Sequence, residues 1–188
     1  LILHISNFDV RRGGPWEPIY FGKVKDLEKA KFTLELRQML VFGSMTVGGI
    51  FFLIIFLAWP KDRSFLYFAL VAMLAGVRSA LVGSRLAYEY WPENFDILFR
   101  IDYLTFALLV PLFLYFISHF TEANSGKRVR LGFLIIGVIY AGVIIASPTW
   151  VFTELTVPYQ IVSVIAILFT AYLLVTVYRG SETEVLVI

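Results

Sequence analysis

The chain has 188 residues and a net charge of +2, with 59% hydrophobic and only 16% charged residues. Soluble domains carry about 25% charged residues, so this composition, with a mean hydropathy of +0.80, indicates a membrane protein. The absence of cysteine excludes a disulfide framework and a thiolate metal site. Because the chain starts with Leu and shows no signal-peptide pattern, we expect it to be an internal piece of a longer protein.

Residues 1–22 have the pattern of water-soluble β structure. The stretch "LILHISNF" alternates as a strand does, with Leu1, Leu3 and Ile5 on one face. The stretch "DVRRGGPWEP" then forms a turn, and "IYF" is long enough for a brief return strand. Two short strands are not stable alone in water. We therefore expect residues 1–22 to be the last strands of a larger β domain.

Residues 23–38 predict a helix that continues without a break into the first span. They are rich in Lys, Glu, Leu and Ala, and Val24, Leu27, Leu34 and Val41 form one apolar stripe. The helix from about Val24 to the end of the span would be roughly 50 Å long. Such a rod can transmit torque or a piston shift, and a solvated linker helix is an equally good interpretation of its charges.

Five stretches beyond residue 38 are long enough to cross a bilayer, which takes roughly 20 apolar residues. We predict spans over residues 39–59, 65–83, 97–120, 129–147 and 157–178, and the start of a sixth span from Glu184. Together they predict a mainly α membrane protein, a polytopic helical bundle over residues 39–188.

Lys and Arg in the short loops indicate the orientation, because they are retained on the cytoplasmic side. The loops after spans one, three and five hold six basic residues, whereas the alternate loops hold only Arg85. The six are Lys61, Arg63, Lys127, Arg128, Arg130 and Arg179. This asymmetry places the N-terminal segment outside the cytoplasm.

The sequence resembles the bacterial seven-transmembrane receptors with diverse intracellular signalling modules. The resemblance rests on "ISNFDVRRGGPWEPIYFG", on "LVFGSMTVGGIFFLIIFL" in span one, on "DRSFLYFALVAMLAGVRSALVG" through span two and on "FRIDYLTFALLVPLFLYFISHF" in span three. It implies a seven-helix bundle of the bacterial inner membrane, preceded by a periplasmic jelly-roll domain that residues 1–22 would close. It also implies a cytoplasmic histidine kinase, diguanylate cyclase or phosphatase, none of which lies within these residues.

Three charges inside the spans are the main candidate site, because a charge at mid-helix costs about 2.5 to 3.5 kcal/mol. Arg78 and Asp102 lie on consecutive antiparallel spans, both roughly 8 Å below the outer boundary, so an ion pair between them is predicted. In one interpretation the pair, with Arg100 extended outward, only ties spans two and three together. In the other, Arg78, Asp102 and Tyr103 line a polar cavity that binds a ligand or reports movement of the outer domain.

Pro111 removes a backbone hydrogen bond from span three and predicts a kink there. The pairs Ser44 with Gly48 and Gly137 with Ala141 have the spacing that allows close helix approach. Two distant histidines make no metal site, and no catalytic nucleophile with an adjacent base is visible, so we expect no cofactor and no enzymatic activity in these residues.

A signalling receptor is the function that the sequence favours. A transporter or channel with a polar path near Arg78 and Asp102 is the alternative, and an intramembrane enzyme ranks last. The expected partners are the lipid bilayer, an extracytoplasmic ligand whose identity the sequence does not reveal, and a second copy of the chain, because kinases and cyclases act as dimers. The basic "GKRVR" is too short for a nucleic-acid surface.

Overall fold

The computed structural model describes residues 21–82, 86–121 and 126–185 of the chain. They form seven α-helices and a short 3-10 helix, Pro92–Asn94, with no strand among them. The helices are α1 (Val24–Ala58), α2 (Arg63–Leu81), α3 (Leu86–Tyr90), α4 (Phe95–Phe120), α5 (Lys127–Ala146), α6 (Thr149–Glu154) and α7 (Thr156–Val185). The β strands predicted within residues 1–22 fall on residues 1–20, outside the described part of the chain, and on Phe21, which is not in a strand.

Five of the helices are long and apolar enough to cross a membrane, as the sequence predicts. They are α1, α2, α4, α5 and the part of α7 from Thr156 to Tyr178. α1 is one helix from Val24 onward, so its first fifteen residues or so extend beyond the apolar segment that starts near Met39.

α7 continues past Tyr178, the predicted end of the fifth span, as far as Val185. The polar stretch that suggested a loop contains one helix-disfavouring residue, Gly180, which costs an α-helix only about 1 kcal/mol. The start of a sixth span at Glu184 stays a prediction.

α4 is the centre of the bundle, with contacts to α2, α5 and α7. Pairs of side-chain contacts show that α2 and α5 run antiparallel to α4. α7 runs antiparallel to α5 and is therefore parallel to α4. We call the two ends of the bundle the Arg78 end, where α2 finishes and α4 begins, and the His119 end, where α4 finishes and α5 begins. The buried core lies toward the Arg78 end and is largely aromatic, with Phe99, Tyr140, Phe152 and Tyr159 among its members.

α1 lies at the edge of the bundle and contacts α2. Gly49 is the only buried residue of α1, and a Cβ atom built there would lie 2.6 Å from Cγ of Met73 and 3.2 Å from the carbonyl oxygen of Ala69. The two backbones therefore approach closely at this point. The prediction of close packing at Ser44 and Gly48 is wrong, because a Cβ atom built on Gly48 meets nothing within 4 Å and the contacting face is one residue further along the helix.

Candidate functional site

The Arg78–Asp102 ion pair is present and joins α2 to α4. The Nη1 atom of Arg78 lies 2.8 Å from Oδ1 of Asp102 and donates a second hydrogen bond, of 2.9 Å, to the Asp102 carbonyl oxygen. The guanidinium also lies 5.2 Å from the centre of the Phe106 ring, within the range of a cation–π contact. Arg78 thus binds one turn of α4 through a side chain, a backbone group and an aromatic face.

This ion pair is partly buried, so it differs from a surface pair in screening and in the cost of losing one partner. The side chain of Arg78 is 33% exposed and that of Asp102 is 20% exposed. Screening is weaker there than on an open surface, and removal of one partner leaves a partly buried charge without its counter-ion. The pair therefore holds α2 and α4 in one relative position.

Arg100, predicted to extend outward, binds within α4 and to the end of α5. Its guanidinium pairs with Asp96, one turn earlier in α4, at 2.8 Å. It also donates hydrogen bonds to the carbonyl oxygens of Ile144 and, at 2.9 Å, Ser147. Ile144 lies in the last turn of α5 and Ser147 is the residue that follows the helix, so both carbonyls lack helical partners. Arg100 therefore ties span three to span four rather than to span two, and it does so by capping a helix end.

Tyr103 faces the aromatic core. Its ring centre lies 4.8 Å from that of Phe99 and 5.1 Å from that of Phe152, with an edge-to-face arrangement in the second case. Arg100 thus contacts α5 and Tyr103 contacts α6, whereas Asp102 contacts α2. The four predicted site residues form two connected groups on opposite sides of the first turns of α4.

Two contacts from α1 reach the same end of the bundle. The Nζ atom of Lys31 lies 2.7 Å from Oε1 of Glu89 on α3. Gln38 donates its side-chain amide to the carbonyl oxygens of Ser79 and Val82 at the end of α2. α1 is therefore bonded both to the loop region after α2 and to the last turn of α2, one turn from Arg78.

Pro111 lies fully buried in the middle of α4, and α4 continues on both sides of it. The Tyr159 hydroxyl on α7 donates a hydrogen bond of 2.5 Å to the carbonyl oxygen of Ala107, four residues before the proline. Gly137 on α5 packs against the same place, since a Cβ atom there would lie 3.0 Å from that carbonyl oxygen and from Cγ of Pro111. The predicted close approach at Gly137 and Ala141 is confirmed, since both are buried.

The His119 end carries one helix cap and a cluster of rings. Asp62 precedes α2, and its carboxylate accepts a hydrogen bond of 2.9 Å from the backbone N–H of Ser64. Hydrogen bonding to Ser64 lowers the pKa of Asp62, and the nearby His119 adds to this effect. The ring of His119 lies 4.8 Å from that of Tyr67, which joins α4 to α2 at this end.

The family model described as 7TM diverse intracellular signalling matches residues 34–187. The chain belongs to this family. No curated protein and no solved structure matched the sequence. Membership in the 7TM diverse intracellular signalling family agrees with the resemblance stated above and with the five membrane-length helices. The chain is accordingly a multi-pass membrane region of a signalling family.

Sequence reasoning missed three contacts of this 7TM signalling chain, those of Gln38, Tyr159 and the α5 end bound by Arg100. A signal existed for one of them. Pro111 implies a carbonyl without its helical donor at Ala107, and a residue with a hydroxyl at the tip of a long apolar side chain is suited to reach it. No comparable signal identifies which helix end Gln38 or Arg100 will cap.

Proposed function

We propose that this membrane region is the relay of a receptor: it receives movement from an extracytoplasmic sensor domain through α1 and passes it to a cytoplasmic output module. In this proposal the Arg78 end faces the periplasm and the protein lies in the bacterial inner membrane. The output is a histidine kinase, diguanylate cyclase or phosphatase, acting as a dimer. The charge asymmetry of the loops and the family membership support this arrangement.

The observation that carries the proposal is the continuity of α1 and its fastening to the bundle. One helix runs from Val24 through the apolar segment to Ala58, so its exposed first part cannot move independently of its membrane part. Lys31 and Gln38 bond that helix to α3 and to the end of α2. A displacement of α1 therefore acts directly on the last turn of α2.

The Arg78–Asp102 pair continues this path from α2 to α4. Arg78 lies one turn or less from the Ser79 and Val82 carbonyls that Gln38 binds. Because α4 contacts α2, α5 and α7, a shift of its first turns reaches the remaining helices. The relay thus runs only through residues in direct contact, from α1 to α2 and from α2 to α4, and along α4 itself.

Helix insertions test the relay in the full-length receptor. One to four alanines are inserted between Glu28 and Lys29, which rotates everything upstream by about 100° per residue while Lys31 and Gln38 keep their contacts. We expect the output activity to vary with the helical period and to recover when seven residues are inserted. The control places the same insertions next to Lys61, in the turn between α1 and α2. An output activity that does not depend on the insertion length at either site would overturn the relay. Uptake of a solute by vesicles that contain the protein would favour the transporter instead.

Single cysteines test the orientation, because the sequence contains none of its own. Cysteines at Tyr90 or Trp150, both exposed at the Arg78 end, should react with a membrane-impermeant maleimide added to spheroplasts, whose inner-membrane exterior is accessible. A cysteine at Lys61 should react only after permeabilisation. The reverse pattern would contradict the proposed topology.

A further inference from the structure

The proline in the middle of α4 leaves one backbone acceptor without its helical donor. Residue 111 would normally donate its N–H to the carbonyl oxygen of Ala107, and proline has no N–H to give. Ala107 is buried and lies near the middle of a 26-residue helix. In a membrane, water cannot replace the lost bond, so this carbonyl needs a donor from the protein.

Tyr159 provides that donor from another helix. Its hydroxyl bonds to the Ala107 carbonyl, and the residue is only 4% exposed. The ring is held by a stacked contact with Tyr140, 4.5 Å between ring centres, and by an edge contact with Phe106 at 5.3 Å. Gly137 packs against the same group, since a Cβ atom there would lie 3.0 Å from the Ala107 carbonyl oxygen and 3.5 Å, an ordinary contact distance, from the Tyr159 hydroxyl.

We propose that the Pro111 break in α4 is a hinge that the Tyr159 hydroxyl holds closed. While the bond is made, the two halves of α4 and the first turn of α7 move as one body. When it is released, the halves of α4 are joined only by the remaining helical bonds around a proline, and they bend more easily. A shift of α7 relative to α4 thus changes how much α4 bends at Pro111. This property goes beyond the relay from α1.

Two substitutions separate the hydrogen bond from the packing of the ring. Tyr159→Phe removes the hydroxyl and keeps the aromatic contacts. Pro111→Ala restores the backbone N–H that the Ala107 carbonyl lacks. We expect Tyr159→Phe to lower the Tm of the purified chain in detergent by on the order of 5 °C. In the Pro111→Ala background the same change should lower it by less than half as much.

Tyr140→Phe is the matched control, because it removes a hydroxyl from the same cluster. The Tyr140 hydroxyl donates to the carbonyl oxygen of Phe152 over 3.1 Å, but Thr156 donates to that oxygen as well, also over 3.1 Å. Its loss should therefore have a smaller effect, with no dependence on residue 111. Equal losses for Tyr159→Phe in both backgrounds, or no loss in the wild type, would overturn the hinge. If Tyr159→Phe fails to fold, the double variant with Pro111→Ala decides. A double variant that folds supports the hinge, and one that also fails to fold refutes it.

Spin labels measure the bending itself. Cysteines at Ile97 and Phe120, both exposed on α4, lie about 35 Å apart along the helix, within the range of pulsed dipolar spectroscopy. Tyr159→Phe should broaden or shorten this distance distribution, and Pro111→Ala should narrow it again. A pair at Leu131 and Ile145 on the proline-free α5 should not change. An unchanged α4 distribution would overturn the hinge, and because neither measurement uses an output module, it would leave the proposed relay untouched.

Discussion

A double-mutant cycle on the Arg78–Asp102 pair measures how firmly α2 is tied to α4. The variants are Arg78→Met, Asp102→Asn and both together. Two unit charges 2.8 Å apart attract by about 6 kcal/mol at an effective dielectric constant of about 20. The side chains are 33% and 20% exposed, so solvent screening and the cost of desolvation reduce this value. We expect a coupling of about 2 kcal/mol, roughly thirtyfold in the unfolding equilibrium constant.

The assay is reversible unfolding of the purified chain in one detergent, with all four proteins compared under the same conditions. Each single variant should lose about 2 to 3 kcal/mol, and the double variant should lose little more than either. The exposed pair Lys31–Glu89 is the control, for which we expect a much weaker coupling than for Arg78–Asp102, because solvent screens both of its charges. Additive losses at Arg78 and Asp102, with a coupling below about 0.5 kcal/mol, would refute the reasoning. The charge-reversed protein, Arg78→Asp with Asp102→Arg, should fold better than either single reversal.

Three further variants test other contacts. Gly137→Ala should lower stability by about 1 to 3 kcal/mol, because its methyl group would press on the carbonyl of Ala107, whereas Gly142→Ala, with nothing within 4 Å, should leave the unfolding midpoint unchanged. Arg100→Met should cost about 2 kcal/mol in denaturant unfolding, since two carbonyl groups at the end of α5 lose their donor, and a fully wild-type midpoint would contradict that cap. Asp62→Ala should cost about 1 kcal/mol through loss of the α2 cap. The pKa of Asp62 is lowered in the folded state, so its contribution to stability is complete above the ordinary carboxyl pKa and is lost as the pH falls through the folded-state pKa. Asp62→Asn should cap α2 without this pH dependence.

The spans follow from apolar length, and the ion pair follows from equal depth on two spans that are consecutive in the chain and so are expected to be neighbours. Apolar length fixes where each helix crosses the membrane, and counting residues from the outer boundary places Arg78 and Asp102 at the same level. The extension of α1 back to Val24 is likewise visible in helix propensity and in the apolar stripe.

The partners of Arg100 and Gln38 do not follow from the sequence, because they depend on rotation and on which helices become neighbours. Arg100 lies only two residues from Asp102, so the two side chains point about 200° apart around α4 and meet different helices. The continuation of α7 past Tyr178 does not follow from hydropathy either, since a polar stretch that ends an apolar span does not have to end a helix.

The close contact at Gly49 divides α1 into a long arm and a short arm. About 38 Å of helix lies between this point and Val24, and about 14 Å between it and Ala58. If the backbone contact with α2 acts as the fulcrum, a sideways displacement of the Val24 tip reappears at the other end reversed in direction and reduced about threefold. A movement of 3 Å at the tip would then arrive as about 1 Å, and a heavier side chain at Gly49 would relocate the fulcrum and change that ratio.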